Sequence, residues 1–446
     1  MRTREMSPDT TTADTLIHSL RPAAVDVSRL GREYMPLLQL VRLLIGVVPN
    51  CDSYLAIWPP GFRSYNLLVP NLLNLPFSVW GWGPPVVPLG LALYAASRTA
   101  RCAYCTAHTC AFSLRRGAPP SALAGSSSPA AGAAVAAAEA LARIPCTFTR
   151  EHRDEMLHHF SARDAERLAL GIALMGFLNK FMDALGIDLE EASVREVSAI
   201  LLPTGWTPGK HRVAAETTAD PALQARPGGP DTLATKLALL RHVPAALRLE
   251  HSWTRGVPSR WPAVGAYLAA QTGHDFPLLA KVASPRAVRA IATVLRDNLT
   301  PADSRLGLGV KALCGLVYAS VVGNESLTRE ARQLVLLADP SVPEQSLAAI
   351  SRFAAEPAEE SESDIAAARS TLASLPGVGS EAALALLLAK AVSPSPAAVP
   401  AALLTEVAET LSPEAQIELV VWVSVQQMLH RLGSFLAAQA APLPAR

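Results

Sequence analysis

The chain has 446 residues and a net charge of +1, and half of its residues are hydrophobic although only 5% are aromatic. This balanced charge excludes strong electrostatic steering of a nucleic acid, so we expect no nucleic-acid partner. Ala, Leu and Val supply most of the apolar content, and no sustained alternation marks a strand, which predicts an all-α fold. Six cysteines and a polar N-terminus favour a cytoplasmic protein.

The chain begins with a segment that we expect to be a loose arm, residues 1–25, and a first helical unit is predicted over 26–214. Within it, residues 64–97 carry no charge. Five prolines interrupt this stretch, and a proline breaks a continuous helix. We therefore predict a buried loop-and-helix segment here and no membrane span.

A CxxC motif follows, formed by Cys102 and Cys105, with His108 three residues later. Pro88 and Gly117 suit a helix start and a helix stop. The two cysteines should therefore lie within, or at a break in, one long helix, where residues three apart share a face. Two close thiols predict dithiol–disulfide redox chemistry.

The charges around this motif predict a reactive thiolate. Arg98 and Arg101 each lie four residues before a cysteine, and no acidic residue occurs between Asp52 and Glu139. Positive charge lowers the pKa of a thiol, so we expect both arginines to stabilise the thiolate. His108 is the expected proton carrier, and Tyr104 either donates a hydrogen bond to a leaving oxygen or packs.

Two other interpretations of the cysteines stay open. Cys102, Cys105, His108 and Cys110 are ligand types that zinc accepts, although a structural zinc usually uses two separated pairs of ligands. The cysteines could also be inert and pack as small apolar residues. We predict no metal and no cofactor.

The sequence also indicates an internal duplication. The segments from Phe160 to Lys180 and from Leu411 to Arg431 align without a gap. Each opens with a helix N-cap, Ser161 or Ser412, followed by early acidic residues. A second alignment pairs Ser97 with Ser320 and places Glu325 opposite Cys102. We predict a breaker-rich linker over 215–231, a second unit over 232–437 that lacks the CxxC, and a tail over 438–446.

The residues around the motif, from Ser97 through His108 to the Gly117 stop, resemble the alkylhydroperoxidase D-like members of the carboxymuconolactone decarboxylase-like superfamily. The segment from Met175 to Ile187 is similar to a later helix of that family. The resemblance covers about 150 residues of the first unit, and a weaker, degenerate form of it covers the second unit. It implies an all-α fold of two tandem units, the second without the CxxC.

The resemblance also implies an activity, which is reduction of hydroperoxides by the CxxC. Cys105 would be the peroxidatic thiol, Cys102 the resolving thiol and His108 part of a proton relay. A lipoyl or thioredoxin-type partner would reduce the disulfide. The chain departs from the family pattern at two positions. Thr109 stands where the family usually has its relay histidine, and Thr109 could have a supporting role there. Gly90 stands where the family has a relay glutamate.

We therefore predict a thiol-dependent hydroperoxide reductase, monomeric or homodimeric, acting on a small hydroperoxide. One alternative is a non-catalytic or redox-sensing scaffold with the same fold, which the loss of the relay glutamate would favour. A minor alternative is a carboxymuconolactone-type decarboxylase, whose chemistry needs no dithiol. Without the glutamate, slower proton delivery would reduce turnover by about 10²–10⁴-fold.

Overall fold

A computed structural model describes residues 15–125, 128–215, 220–226 and 228–440. The described residues form an all-α protein, as predicted, with a single pair of two-residue strands. The first eleven α-helices are α1 (Ile17–Leu20), α2 (Met35–Ile45), α3 (Cys51–Leu55), α4 (Pro59–Leu72), α5 (Val86–Thr99), α6 (Ala103–Arg115), α7 (Pro120–Leu123), α8 (Pro129–Ala142), α9 (Arg150–His159), α10 (Ala162–Leu185) and α11 (Glu191–Leu201).

The other α-helices follow the two strands, β1 (Leu189–Glu190) and β2 (Val213–Ala214). They are α12 (Leu233–Trp253), α13 (Ala263–Thr272), α14 (Pro285–Asn298), α15 (Leu308–Val321), α16 (Glu325–Ala338), α17 (Glu344–Ala355), α18 (Glu362–Ala373), α19 (Ser380–Val392), α20 (Ala401–Thr410) and α21 (Pro413–Ala440). Short 3-10 turns lie at Arg21–Ala23, Val27–Arg29, Phe77–Trp80, Leu202–Thr204, Pro221–Leu223, Pro277–Lys281 and Pro301–Asp303.

The two long helices α10 and α21 pack against each other at the centre of the protein. Ser161 caps α10 by accepting a hydrogen bond from the Asp164 amide at 3.1 Å. A Cβ at Gly176 would lie 2.9 Å from the Gln427 carbonyl oxygen, so glycine permits the close approach of the two helices. Side chains from both halves of the chain form one continuous apolar core around this pair.

Helix α10 is the one described helix that is long and apolar enough to cross a membrane. In its most apolar window, 94% of the residues are buried inside the protein, which is typical of a core helix. This burial is consistent with the expectation of no membrane span.

Several helices in the first half of the chain have counterparts in the second half, in the same order and with the same spacing along the sequence. Helices α5 and α6 have the same separation as α15 and α16, and the starts of α8, α9 and α10 are spaced like those of α19, α20 and α21. These intervals support the predicted duplication, which stays a prediction. Arg101 (φ 54°) and Gly323 (φ 66°) both have positive φ one residue before an N-cap. This correspondence places Asn324, and not Glu325, opposite Cys102, so the register differs by one residue from the sequence alignment.

The predicted arm, linker and tail lie partly outside the described residues. The described part of the arm differs from the expectation of a loose segment, since Leu16, Ile17 and Leu20 are buried. The described part of the linker also packs against the first unit. Leu223 is buried, and the Arg226 amide donates a hydrogen bond to the Gly46 carbonyl at 2.7 Å.

Candidate redox site

The CxxC motif lies at a break between two helices. Helix α5 ends at Thr99, the chain turns at Arg101, and Cys102 is the N-cap of α6. Its sulfur accepts a hydrogen bond from the Cys105 amide at 3.4 Å. Both thiols therefore lie at a helix N-terminus, where the helix dipole stabilises negative charge. All six cysteines are free in the structure.

The two cysteines differ in their surroundings. Cys102 is fully buried, and burial raises the pKa of its thiol well above the ordinary value. Interaction with Cys105 raises that pKa further, whereas His211 opposes the rise. Cys105 instead lines a cavity of about 90 Å³. Cys105 is therefore the sulfur that a bound small molecule would meet first.

This cavity lies between α2, α4, α5, α6 and α10 and has an almost wholly apolar wall. Besides Cys105, it is lined by Val41, Leu44, Ile45, Pro49, Tyr65, Val69, Leu73, Leu75, Leu93, Tyr104, His108, Thr109, Phe112, Met175, Leu178 and Met182. The Thr109 hydroxyl donates to the Cys105 carbonyl at 2.6 Å, so its hydrogen bond stays within the helix.

A buried carboxylate, Glu190, joins two of the polar side chains of the cavity, His108 and Tyr104. Its Oε2 lies 2.8 Å from His108 Nε2. Its Oε1 accepts hydrogen bonds from the Tyr104 hydroxyl at 2.8 Å and from the backbone N–H of Asn50 at 2.6 Å. Burial opposes ionisation of Glu190, but its partners, His108 above all, together outweigh this effect, and the pKa of the carboxyl is lowered. An ionised Glu190 requires a proton on His108 Nε2.

The His108 ring is thereby positioned for proton transfer. Its Nδ1 has no hydrogen-bond partner among the described residues, and His108 and Cys105 line the same cavity. The Tyr104 ring lies 4.4 Å from the His108 ring, centroid to centroid. Tyr104 therefore packs against His108, and its hydroxyl donates to Glu190, so donation to a leaving oxygen stays a prediction.

Glu190 is one of the side chains beside the motif that no sequence pattern reveals, together with His211 and Arg431. A carboxylate was expected at the position of Gly90, where a Cβ would lie 2.7 Å from Ser113 Oγ and leave no room for a side chain. The structure supplies the carboxylate from β1, which pairs in parallel with β2. No local signal in the sequence connects Glu190 with the CxxC, because the connection is made by this tertiary pairing.

The same strand pair brings a second histidine, His211, to the motif. Its Nδ1 lies 2.8 Å from the Ile187 carbonyl, which leaves Nε2 as the free ring nitrogen. Within the described part of the chain Nε2 has no hydrogen-bond partner, but the Cys102 thiol is close enough to affect the pKa of the ring. Burial lowers the pKa of His211, but Cys102, Asp183 and the Ile187 carbonyl together outweigh burial, and the pKa is raised.

The indole of Trp206, in the loop before His211, donates to the Ala103 carbonyl at 3.3 Å. Trp206 therefore packs over the start of α6 and is not among the residues that line the cavity at Cys105.

The structure places the predicted arginines away from the sulfurs. Arg98 and Arg101 are both exposed, and the Arg98 guanidinium lies over the Tyr94 ring at 5.6 Å. Neither arginine is among the groups that shift the pKa of the Cys102 thiol. The prediction that these two side chains stabilise the thiolate is therefore not supported by their positions.

The cation that faces the motif is Arg431, from α21. It is fully buried, and its guanidinium reaches the Ile172 carbonyl at 3.3 Å and Asn179 Oδ1 at 3.4 Å. Asn179 in turn donates to Ser97 Oγ at 3.2 Å, and the Ser97 carbonyl accepts from the Cys102 amide at 3.2 Å. A hydrogen-bonded chain thus connects Arg431 with the start of the CxxC helix.

Arg431 has no carboxylate partner among the described residues, and its Nη2 makes no hydrogen bond there. Burial lowers its pKa to about 10, and Tyr318, Cys146, Cys105 and Cys102 oppose this change. Lys180, also buried, has its pKa lowered by burial to about 7 and donates to the Ser393 carbonyl at 2.8 Å. Arg431 is therefore the permanent cation near the two sulfurs.

Two residues of α3, Asp52 and Cys51, interact with Tyr65 of the cavity wall, so the surroundings of the motif are not purely positive. Burial raises the pKa of the Asp52 carboxyl to about 7, and the Asn66 side chain opposes this rise. The Asn66 side-chain amide also donates a hydrogen bond to the Phe62 carbonyl. Cys51 is buried beside the Tyr65 hydroxyl, and burial raises its pKa. A third thiol therefore lies near the site, in its protonated form.

The zinc interpretation finds no support in the geometry. In the described ranges, no group of three or more His, Cys, Asp and Glu side chains is arranged to hold a metal ion. Cys110, the fourth ligand considered, is fully buried, and burial raises its pKa to about 12.

Comparison with known proteins finds no relative of this chain: no protein-family model, no curated protein and no solved structure matches it at a significant level. The resemblance to the alkylhydroperoxidase D-like proteins therefore stays a prediction based on the motif residues.

Proposed function

We propose that this protein reduces hydroperoxides with the Cys102–Cys105 dithiol. The observation that carries the proposal is the position of Cys105 in an apolar cavity, beside a histidine whose ring is held by a buried carboxylate. A thiol in such a place can meet an organic substrate while a proton carrier lies within the same cavity.

In the proposed reaction, the Cys105 thiolate attacks the terminal oxygen of the hydroperoxide and the O–O bond breaks. The alkoxide takes a proton and leaves as an alcohol, and Cys105 becomes a sulfenic acid. The Cys102 thiol loses its proton and attacks the Cys105 sulfur, which releases water and forms the disulfide. An external dithiol of the lipoyl or thioredoxin type would supply two electrons and two protons to restore the thiols.

The polar residues have separate roles in this scheme. His108 Nδ1, which has no hydrogen-bond partner among the described residues, would accept the Cys105 proton and return it to the leaving alkoxide. Glu190 would stabilise the charged ring, and Tyr104 and the Asn50 amide hold Glu190 in place. His211 would take the proton from Cys102 during disulfide formation.

The test is stopped-flow oxidation of the reduced protein by cumene hydroperoxide, with free thiols counted before and after. Rapid loss of two thiols is expected for the wild type. Cys105→Ser should abolish the reaction, whereas the matched control Cys110→Ser, on the same helix, should retain it. A rate equal to that of free cysteine would exclude the reductase function.

A redox-sensing role on the same fold is the second candidate, because full burial and a raised thiol pKa disfavour fast disulfide formation at Cys102. The two functions differ in turnover. With excess dihydrolipoamide, a reductase consumes many equivalents of hydroperoxide per protein, whereas a sensor is oxidised once and is recycled slowly.

A further inference from the structure

A separate cavity of about 430 Å³ lies between the start of α4 and the ends of α12 and α14. None of its lining residues belongs to the wall of the cavity at Cys105. Its volume is within the range of about 300–1,000 Å³ that is usual for small-molecule sites. Three arginines and three aromatic side chains form most of its wall, so it differs in kind from the almost wholly apolar redox cavity.

The arginines leave this cavity with an excess of positive charge. Arg63, Arg255 and Arg296 line it, and no acidic side chain is among the described residues that do so. Buried Asp297, outside the wall, lies 3.0 Å from Arg63 Nε and 2.6 Å from Arg296 Nη2, and it holds both guanidinium groups in place. Exposed Asp303 lies 3.7 Å from Arg63 Nη2. Three cations thus face two carboxylates, so one positive charge is not compensated within this cluster.

The uncompensated charge lies on Arg255. This residue follows α12 and is exposed, and it forms no hydrogen bond or ion pair within the described ranges. Its five N–H donors are therefore free, and Arg63 Nη1 has no partner there either. A carboxylate has about four acceptor positions, fewer than these donors can use, whereas a phosphate brings three oxygens and up to two negative charges. The two arginines therefore favour a phosphate, which a guanidinium binds bidentately.

Aromatic rings lie beside these arginines, in a chain that is only 5% aromatic. Tyr34, Phe62 and Trp253 line the cavity. The Tyr34 and Trp253 rings are stacked at 6.3 Å between centroids, with 28° between their planes, and Phe62 meets Tyr34 edge-on at 5.6 Å. Tyr34 and Trp253 are half-buried, so part of each ring is open to a ligand. Because aromatic rings favour offset stacking with a further flat ring, the cavity suits an aromatic group.

We propose that the cavity between α4, α12 and α14 binds a phosphate monoester of an aromatic group. The phosphate accepts hydrogen bonds from Arg63 and Arg255, and the aromatic ring packs against Tyr34 and Trp253. Arg296 adds charge but few donors, because its Nη2 already donates to the Trp253 carbonyl at 3.1 Å. The site is independent of the proposed reductase function, since it shares no lining residue with the cavity at Cys105.

Calorimetry with three probes tests the class of ligand: phenyl phosphate, cyclohexyl phosphate and benzoate. Phenyl phosphate should bind about threefold or more tightly than cyclohexyl phosphate, because only its ring is flat and can stack. It should also bind more tightly than benzoate. A Kd for phenyl phosphate weaker than about 1 mM would overturn the proposal, and so would equal affinity for the two phosphates or tighter binding of benzoate.

Variants of the wall test the position of the site. Arg255→Met should weaken binding of phenyl phosphate by about fivefold. The matched control Arg260→Met, at an exposed arginine of the same loop outside the cavity, should leave it unchanged. Trp253→Leu should weaken binding of phenyl phosphate but keep that of cyclohexyl phosphate within about twofold, and Tyr34→Leu replaces it if circular dichroism shows that it does not fold. Unchanged affinity in Arg255→Met, or equal losses in Arg255→Met and Arg260→Met, would overturn the site.

Discussion

His108 Nε2 lies 2.8 Å from Glu190 Oε2, although 82 residues separate the two in the chain. The pairing depends on β1, because its parallel contact with β2 holds Glu190 beside the N-terminal half of the CxxC helix. Both side chains are shielded from solvent, so their interaction is stronger than a surface ion pair. A carboxylate–histidine pair beside a cysteine is an arrangement that supports proton transfer.

We predict that Glu190→Gln slows oxidation of Cys105 by cumene hydroperoxide by about 10²-fold, because the amide cannot stabilise a charged His108 ring. Stopped-flow measurement of thiol loss checks this. The control Glu191→Gln changes an exposed neighbour that pairs with Arg195, and it should leave the rate unchanged. Equal rates in the wild type and Glu190→Gln would show that Glu190 has only a structural role.

The helical class and the position of the cysteines could be predicted from the sequence because both depend on local features. Alanine and leucine content, the Gly117 stop and the spacing of Cys102 and Cys105 are all visible within a few turns of helix. The break at Arg101 was left open, because a positive φ at a non-glycine residue has no sequence signal of its own.

The charged residues of the site could not be predicted for the opposite reason. Arg98 and Arg101 are near the cysteines in sequence, but both side chains are exposed to solvent. Glu190, His211 and Arg431 are distant in sequence and reach the site through a strand pair and through the packing of α21 on α10. Such contacts depend on tertiary structure, which periodicity and spacing do not specify.

Asp52 should make the stability of the protein depend on pH. Burial raises its pKa from the ordinary 3.8 to about 7. Between these values the folded state holds a proton that the unfolded state has released, so the free energy of unfolding falls as the pH rises through this window. Asp52→Asn removes this effect and should stabilise the protein by about 1–4 kcal/mol more at pH 8 than at pH 4.

Urea unfolding of both proteins across this pH range measures the difference. Parallel stability curves for the wild type and Asp52→Asn would contradict the prediction, since they would mean that Asp52 titrates alike in the folded and unfolded states.

His211 is expected to affect the second chemical step and not the first. We predict that His211→Phe leaves the rate of Cys105 oxidation within about twofold but slows disulfide formation by about tenfold or more, because Cys102 loses its proton acceptor. The sulfenic acid at Cys105 would then accumulate and could be trapped with dimedone and measured by mass spectrometry. Equal trapping in the wild type and the variant would mean that another group takes the Cys102 proton.

Arg431 gives the last prediction, because a buried guanidinium without a carboxylate partner needs an anion nearby. If the Cys105 thiolate is that anion, Arg431→Met should slow alkylation of Cys105 by iodoacetamide at neutral pH by about tenfold. Stability should not fall in parallel, since replacing a buried charge by an apolar side chain of similar size is often neutral or stabilising. Arg98→Met is the matched control, and we expect no change in its alkylation rate. If alkylation is slower in Arg98→Met and unchanged in Arg431→Met, the result would instead favour the arginines that lie near the motif in sequence.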